Sequence, residues 1–175
     1  MNYSMKASDL KPNEYTSYYE HYINQSGDNE LLEAMQESSR ALNQLFDGIS
    51  EDKMNYKYAE DKWSIKEMLL HIIDAERVFA YRALRFARQD KTNLPGFEHN
   101  DYVEVSDAKN RSKASLLDEY NAQRASTLQL FSNFTDEMLL SIGVASGSQM
   151  SVRALGFVIA GHETHHCNIL RERYL

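Results

Sequence analysis

Near its C-terminal end the 175-residue chain carries Gly161-His162-Glu163-Thr164-His165-His166-Cys167, which gathers three of its six histidines and its only cysteine. His162 and His166 are four residues apart, so on a helix their Cβ atoms stand roughly 5–6 Å apart, one turn above the other. That spacing suits two imidazoles gripping one metal ion. The same letters satisfy H-E-x-x-H, in which two histidines hold zinc and the glutamate, here Glu163, is the general base of a metallopeptidase. No histidine follows His166, so the extended version of that motif has no room, and Glu172 is the only acidic candidate for a further ligand. Cys167 sits about 100° around the helix from His166 and reads as a small buried packing residue rather than a nucleophile.

The neighbours say which way this face looks. Leu155, Val158, Ile159, His162, His165, His166 and Ile169 recur at three- to four-residue intervals on one stripe, so the histidines continue an apolar row. Burying an imidazole there without a partner costs about 1–3 kcal/mol. Coordination satisfies one ring nitrogen and leaves the other for a hydrogen-bond acceptor. A single histidine on such a face is ordinarily a hydrogen-bonded core residue; two at this spacing point to a metal. A third ligand must come from another element. His71 is the best candidate, because it is embedded in an apolar helical run, whereas His21 and His99 lie in segments with weaker positional constraint. His165 shares the edge of the stripe and stands as an alternative to His166. Asp74, three residues after His71, reads as facing water rather than supporting a ligand.

The elements that must position these residues are helical. Tyr15, Tyr18, Tyr19, Tyr22 and Ile23 predict a short N-terminal helix whose rings pack on the bundle or edge a ligand pocket. Asn29–Phe46 predicts the first long helix, stopped at Gly48, and Ser50–Lys62 a polar turn and connection. Ser64 and Glu67 form a capping box that starts a second long helix running to about Arg88. Asn93-Leu94-Pro95-Gly96-Phe97 forces a loop that continues through Tyr102 and carries Glu98, His99 and Asp101 to a pocket mouth or to solvent. Ser106 or Asp107 caps a third helix supported by Ala114, Leu116, Leu117, Tyr120, Ala125, Leu128, Leu130 and Phe131. A short turn at Phe134–Glu137 and a loop around Gly143 and Gly147 lead to Ser151, which caps the last helix. The expected fold is all-α: a four-helix bundle with a short N-terminal helix and extra short turns, in one domain spanning residues 1–175.

Composition narrows the function. The chain is 42% hydrophobic and 26% charged with two prolines, as suits a helical protein. A net charge of −7 with no dense Lys/Arg block argues against nucleic acid and anionic membranes as partners. A single cysteine allows no internal disulfide, and Met1–Leu10 lacks an apolar signal core, so the expected location is the cytoplasm. The longest apolar run, Ala154 to Gly161, is far short of the ~20 residues that span a bilayer.

Lys62-Trp63-Ser64-Ile65-Lys66-Glu67-Met68-Leu69-Leu70-His71-Ile72-Ile73-Asp74-Ala75-Glu76, taken with Ala160-Gly161-His162-Glu163-Thr164-His165-His166, resembles the DinB-like superfamily. The resemblance implies a four-helix bundle, often homodimeric, with a divalent metal held by one histidine of the second long helix and two of the last. By motif these are His71, His162 and His166. It also implies S-transfer or isomerisation on a small molecule with a low-molecular-weight thiol as cosubstrate, while a divalent ion held by imidazoles, zinc or nickel, would equally activate water for a hydrolase-like activity. No catalytic residue is assigned; Glu163 is a candidate base and equally a solvent-facing helix residue. The alternatives are a zinc metallopeptidase and a bundle that binds a small ligand or partner without turnover.

Overall fold

The computed structural model describes residues 5–175; residues 1–4 of the stretch read above for a signal lie outside it. Four long helices form the bundle: α2 (Leu31–Asp47), α3 (Ile65–Ala87), α5 (Lys113–Ser132) and α7 (Val152–Arg173), with α1 (Ser17–Ile23), α4 (His99–Val105) and α6 (Asp136–Leu140) as short additions. Both α2 and α3 pack against α5 and against α7, and α1 lies on α7. Chain neighbours α2 and α3 therefore occupy opposite corners, and His71 on α3 faces the α7 histidines directly. No helix of the described residues is long and apolar enough to cross a membrane.

Two helix starts fix the site's register. Ser64 accepts from the Glu67 amide at 3.2 Å while the Glu67 carboxylate accepts from the Ser64 amide at 2.6 Å, the reciprocal satisfaction of orphan N–H groups that the sequence predicts. Ser151 caps α7 by accepting from Ala154 N at 3.1 Å and donates to Glu14 at 2.8 Å. The first twelve residues of α7 are buried on every side, as expected for a helix wrapped by α1, α2 and α3. Such close wrapping needs small residues. A Cβ on Gly161 would lie 1.8 Å from the Tyr22 carbonyl oxygen, so α1 meets α7 backbone to backbone, one residue before His162.

Three segments differ from expectation. Residues His99–Val105 wind into α4, started by Glu98 accepting from Asn100 N. The cap of the third long helix is Ser112, accepting from Ser115 N at 3.1 Å; Asp107, at a left-handed φ of 53°, instead precedes a single 3-10 turn over Ala108–Asn110. Finally, the loop expected around Gly143 and Gly147 is a hairpin, β1 (Ile142–Ala145) paired antiparallel with β2 (Ser148–Ser151). Its two-residue turn, Ser146-Gly147, has positive φ at both positions, the geometry whose twist matches that of paired strands. Leu94 bonds to this hairpin through Val144 O and Ser146 N, both at 3.0 Å, so the Leu94-Pro95-Gly96-Phe97 loop is held over the end of the bundle.

The apolar interior is divided in two. One cluster joins α1, the first half of α7 and the hairpin; the other joins the first half of α3, the end of α2 and the end of α7. Buried polar side chains lie at mid-bundle, including His71, Glu76, Arg124, His162, Glu163 and His166.

Candidate metal centre

His71 comes from the second turn of α3, and His162 and His166 come from successive turns of α7. Their Nε2 atoms converge: His71 Nε2 and His166 Nε2 each lie 3.1 Å from His162 Nε2. All three rings are buried, and one nitrogen from each falls within 4.8 Å of the others, a grouping that could hold a metal ion. Two ligand bonds of about 2.0–2.1 Å readily span such a separation. The chemistry of the rings agrees. A neutral imidazole nitrogen either donates or accepts, so His162 Nε2 cannot satisfy both neighbours in complementary fashion, whereas three lone pairs aimed at one point are what a cation requires. His166 Nδ1 is buried without a partner, which leaves this ring without the hydrogen bonds of an ordinary core histidine. The residues fit a divalent ion.

Burial pushes the His71 pKa down to about 4, with a further push from His99, and burial followed by the neighbouring imidazoles holds His162 and His166 well below the ordinary value. These rings stay neutral, with lone pairs available, through the physiological range. The same shifts make the metal-free protein acid-sensitive. Between pH 6.5 and about 4 the unfolded chain binds more protons than the folded one, so stability is full above pH 6.5 and is lost as pH falls toward 4. His71 alone contributes about 3 kcal/mol to that loss. Urea unfolding of chelator-treated protein across this range checks it, beside His71→Gln, whose curve should be flatter by that amount. Parallel curves would contradict the assignment.

The imidazoles form one end of a cavity of about 530 Å³. Trp63 and Phe79 wall it close to the imidazoles, with the Trp63 ring centroid 4.8 Å from that of His71 and Phe79 5.9 Å from His162. Helix α1 supplies Tyr18, Tyr19 and Tyr22, and the Pro95-held loop supplies Phe97, Glu98 and His99. The tyrosine stripe thus both packs and lines a pocket, and Glu98 and His99 reach the mouth while Asp101 does not line it. Arg82, Ser146 and Ser148 close the far side.

Behind α7, away from the cavity lining, lies a charge cluster that periodicity did not reveal. Arg124 on α5 donates to both oxygens of Glu76 at 3.0 and 2.9 Å, to Glu163 at 2.7 Å, and to Met35 O and Ser38 Oγ of α2 at 2.6 and 3.2 Å. Tyr120 donates to Glu163 at 2.8 Å. One guanidinium therefore ties α5 to all three other long helices. Burial opposes its charge, but Glu163 and Glu76 outweigh burial and hold its pKa well above the ordinary value. The available signal was the run Leu116, Tyr120, Arg124, Thr127, Phe131, the buried row of α5, in which an arginine replaces an apolar residue. The apolar reading instead favoured Ala125, which is exposed.

The other candidates fall elsewhere. Glu163 is 1% exposed, bound to Arg124 and Tyr120 and absent from the cavity wall, so it is not a solvent-facing residue. His165 turns toward α1, its Nδ1 3.3 Å from Gln25, and His21 lies beside it with ring centroids 5.5 Å apart. His99 sits 5.5 Å from His71, centroid to centroid, at the cavity rim. Asp74 pairs with Arg77 at 3.3 Å, and Glu172 is exposed. The Cys167 thiol is buried and its pKa is pushed up to about 12, by burial first and then by Glu163.

A helical bundle with three inward-facing histidines on two of its helices defines the class, and the chain belongs to the DinB superfamily, whose family model matches residues 34–170. Among solved structures it is similar to YfiT from Bacillus subtilis, described as "a probable metal-dependent hydrolase with an unusual four-helix bundle topology". The two are 15% identical with a TM-score of 0.69, over 93% of this chain and 90% of that one. No curated protein matches the chain.

Proposed function

We propose that the protein is a metal-dependent enzyme that binds a divalent ion through His71, His162 and His166 and acts on a small molecule in the adjoining cavity. The observation that carries this reading is the convergence of three buried Nε2 atoms at one end of a ligand-sized space. When bound, such an ion lowers the pKa of a thiol or a water molecule and polarises an electrophile, the chemistry shared by S-transfer and hydrolysis. The description of YfiT as metal-dependent supports the ion; the choice of zinc or nickel is open to both, since imidazole suits each.

The chain's own residues have separable tasks. Tyr22, Phe79 and Trp63 keep bulk water from the imidazoles. Arg124 fixes α7 through Glu163, and with it the separation of the histidines. His99, at the rim, is placed to take the proton released from an entering nucleophile. Engagement of Glu163 by Arg124 and Tyr120 speaks against the metallopeptidase reading, in which that carboxylate must face the ion's substrate side.

The test is turnover with and without metal. Zinc- and nickel-loaded protein is assayed for consumption of a low-molecular-weight thiol with an electrophilic aryl halide, and for ester hydrolysis. At least one rate should vanish on chelation and return with the ion, fall by about 10²-fold in His99→Gln with metal retained, and survive in Cys167→Ser. A rate indifferent to chelation overturns the metal-dependent reading, and none above background in any arm favours a binding bundle. Selective loss in Cys167→Ser with metal intact would make the thiol a nucleophile after all.

A further inference from the structure

Among the described residues three arginines are buried, and their surroundings differ. Arg124 is neutralised by Glu76 and Glu163, and Arg153 by Glu14. Arg82 is 4% exposed, yet among the described residues no carboxylate forms an ion pair with it. Its hydrogen bonds are to neutral groups: Nη2 donates to Pro95 O at 3.1 Å and to Ser146 Oγ at 2.8 Å, and Tyr19 lines the same cavity. Removing a guanidinium from water without a counter-ion is costly. The cost falls at one place, because Arg82 lines the same cavity as the three histidines.

We infer that Arg82 is the binding residue for an oxyanion on the ligand, so that the cavity takes a small molecule with a terminal carboxylate or phosphate and an apolar body. The two ends of the cavity are a workable distance apart. The guanidinium carbon is 6.0 Å from the Phe79 ring centroid and that ring is 5.9 Å from His162, so charge and imidazole lie no more than about 12 Å apart. An aromatic or short aliphatic body of this reach would lie between the rings of Tyr22, Phe79, Trp63 and Phe97. The donors are set in advance. Both hydrogens of Nη2 are committed to the Pro95 loop and the hairpin turn, which fixes the plane of the guanidinium and leaves Nη1 and Nε for a ligand. The acidic residue of the lining, Glu98, is exposed at the rim, where it caps α4 and approaches His99; it does not neutralise Arg82. This inference rests on the cavity being the ligand site proposed above, but it does not need the metal.

Trp63, the only tryptophan, lines the cavity and reports its occupancy by fluorescence. Chelator-treated and zinc-loaded protein are titrated with 3-phenylpropionate, phenyl phosphate and the uncharged 3-phenylpropanamide. In chelator-treated protein at least one anion should bind tenfold or more tightly than the amide, the ratio expected for one charge-assisted pair. Arg82→Gln should erase that preference and Arg82→Lys should keep part of it; the stronger of the two anions identifies the headgroup. Equal affinity of anion and amide, or a preference that survives Arg82→Gln, overturns the inference. If Arg82→Gln does not fold, judged by circular dichroism, the wild-type comparison and Arg82→Lys decide alone. A wrong metal assignment would show separately, as failure to take up zinc with the anion preference intact.

Discussion

Arg124→Ala lowers the free energy of unfolding by about 3–5 kcal/mol, the effect of removing one partner from a buried ion pair. Since whole domains are stable by only about 5–15 kcal/mol, this variant should be mostly unfolded on modest warming. The size follows from what is left behind. Without the guanidinium, Glu76 and Glu163 remain buried as neighbouring carboxylates, and Met35 O and Ser38 lose a donor. Urea unfolding of the wild type, Arg124→Ala and Glu163→Gln measures it, with Glu163→Gln the milder change because Glu76 still faces the arginine. A difference below about 1 kcal/mol between wild type and Arg124→Ala would place the cluster among exposed pairs in energetic terms. Glu163→Gln carries a second reading: it should retain metal and most activity, whereas a base in an H-E-x-x-H site could not be replaced in this way.

Metal content responds as strongly to the histidines. Wild-type protein should purify with, or take up, one divalent ion per chain, and His71→Ala, His162→Ala and His166→Ala should each hold less than about a tenth of that. Three ligands already leave room for water or substrate, and a chain with two has lost a third of its inner coordination. His165→Ala and His21→Ala serve as controls, since their rings lie outside the converging group. Elemental analysis after dialysis reads all five variants. Equal metal in all of them would put the ion elsewhere or nowhere, and would remove the basis of the enzymatic proposal.

How much of this could be read from letters depends on what kind of residue speaks. The His162/His166 spacing, the Ser64–Glu67 box and the apolar run around His71 are local patterns, and each has a local physical cause in the folded protein. The hairpin was harder, because its strands are four residues each and its turn depends on Ser146 tolerating a left-handed φ. Helix α4 is a single pair of turns between loops and carries only one buried residue, Val103. Arg124, Glu76 and Arg82 were hidden for another reason. A charged letter on a helix ordinarily marks the wet side, and only tertiary packing shows that these three point inward. Their discovery required knowing which helices stand at adjacent corners.

Main chain meets main chain where Tyr22 lies against Gly161, and a backbone cannot rotate aside as a side chain does. Any side chain larger than a hydrogen at position 161 would therefore lever α1 off α7, carrying with it the Tyr22 ring that lines the cavity.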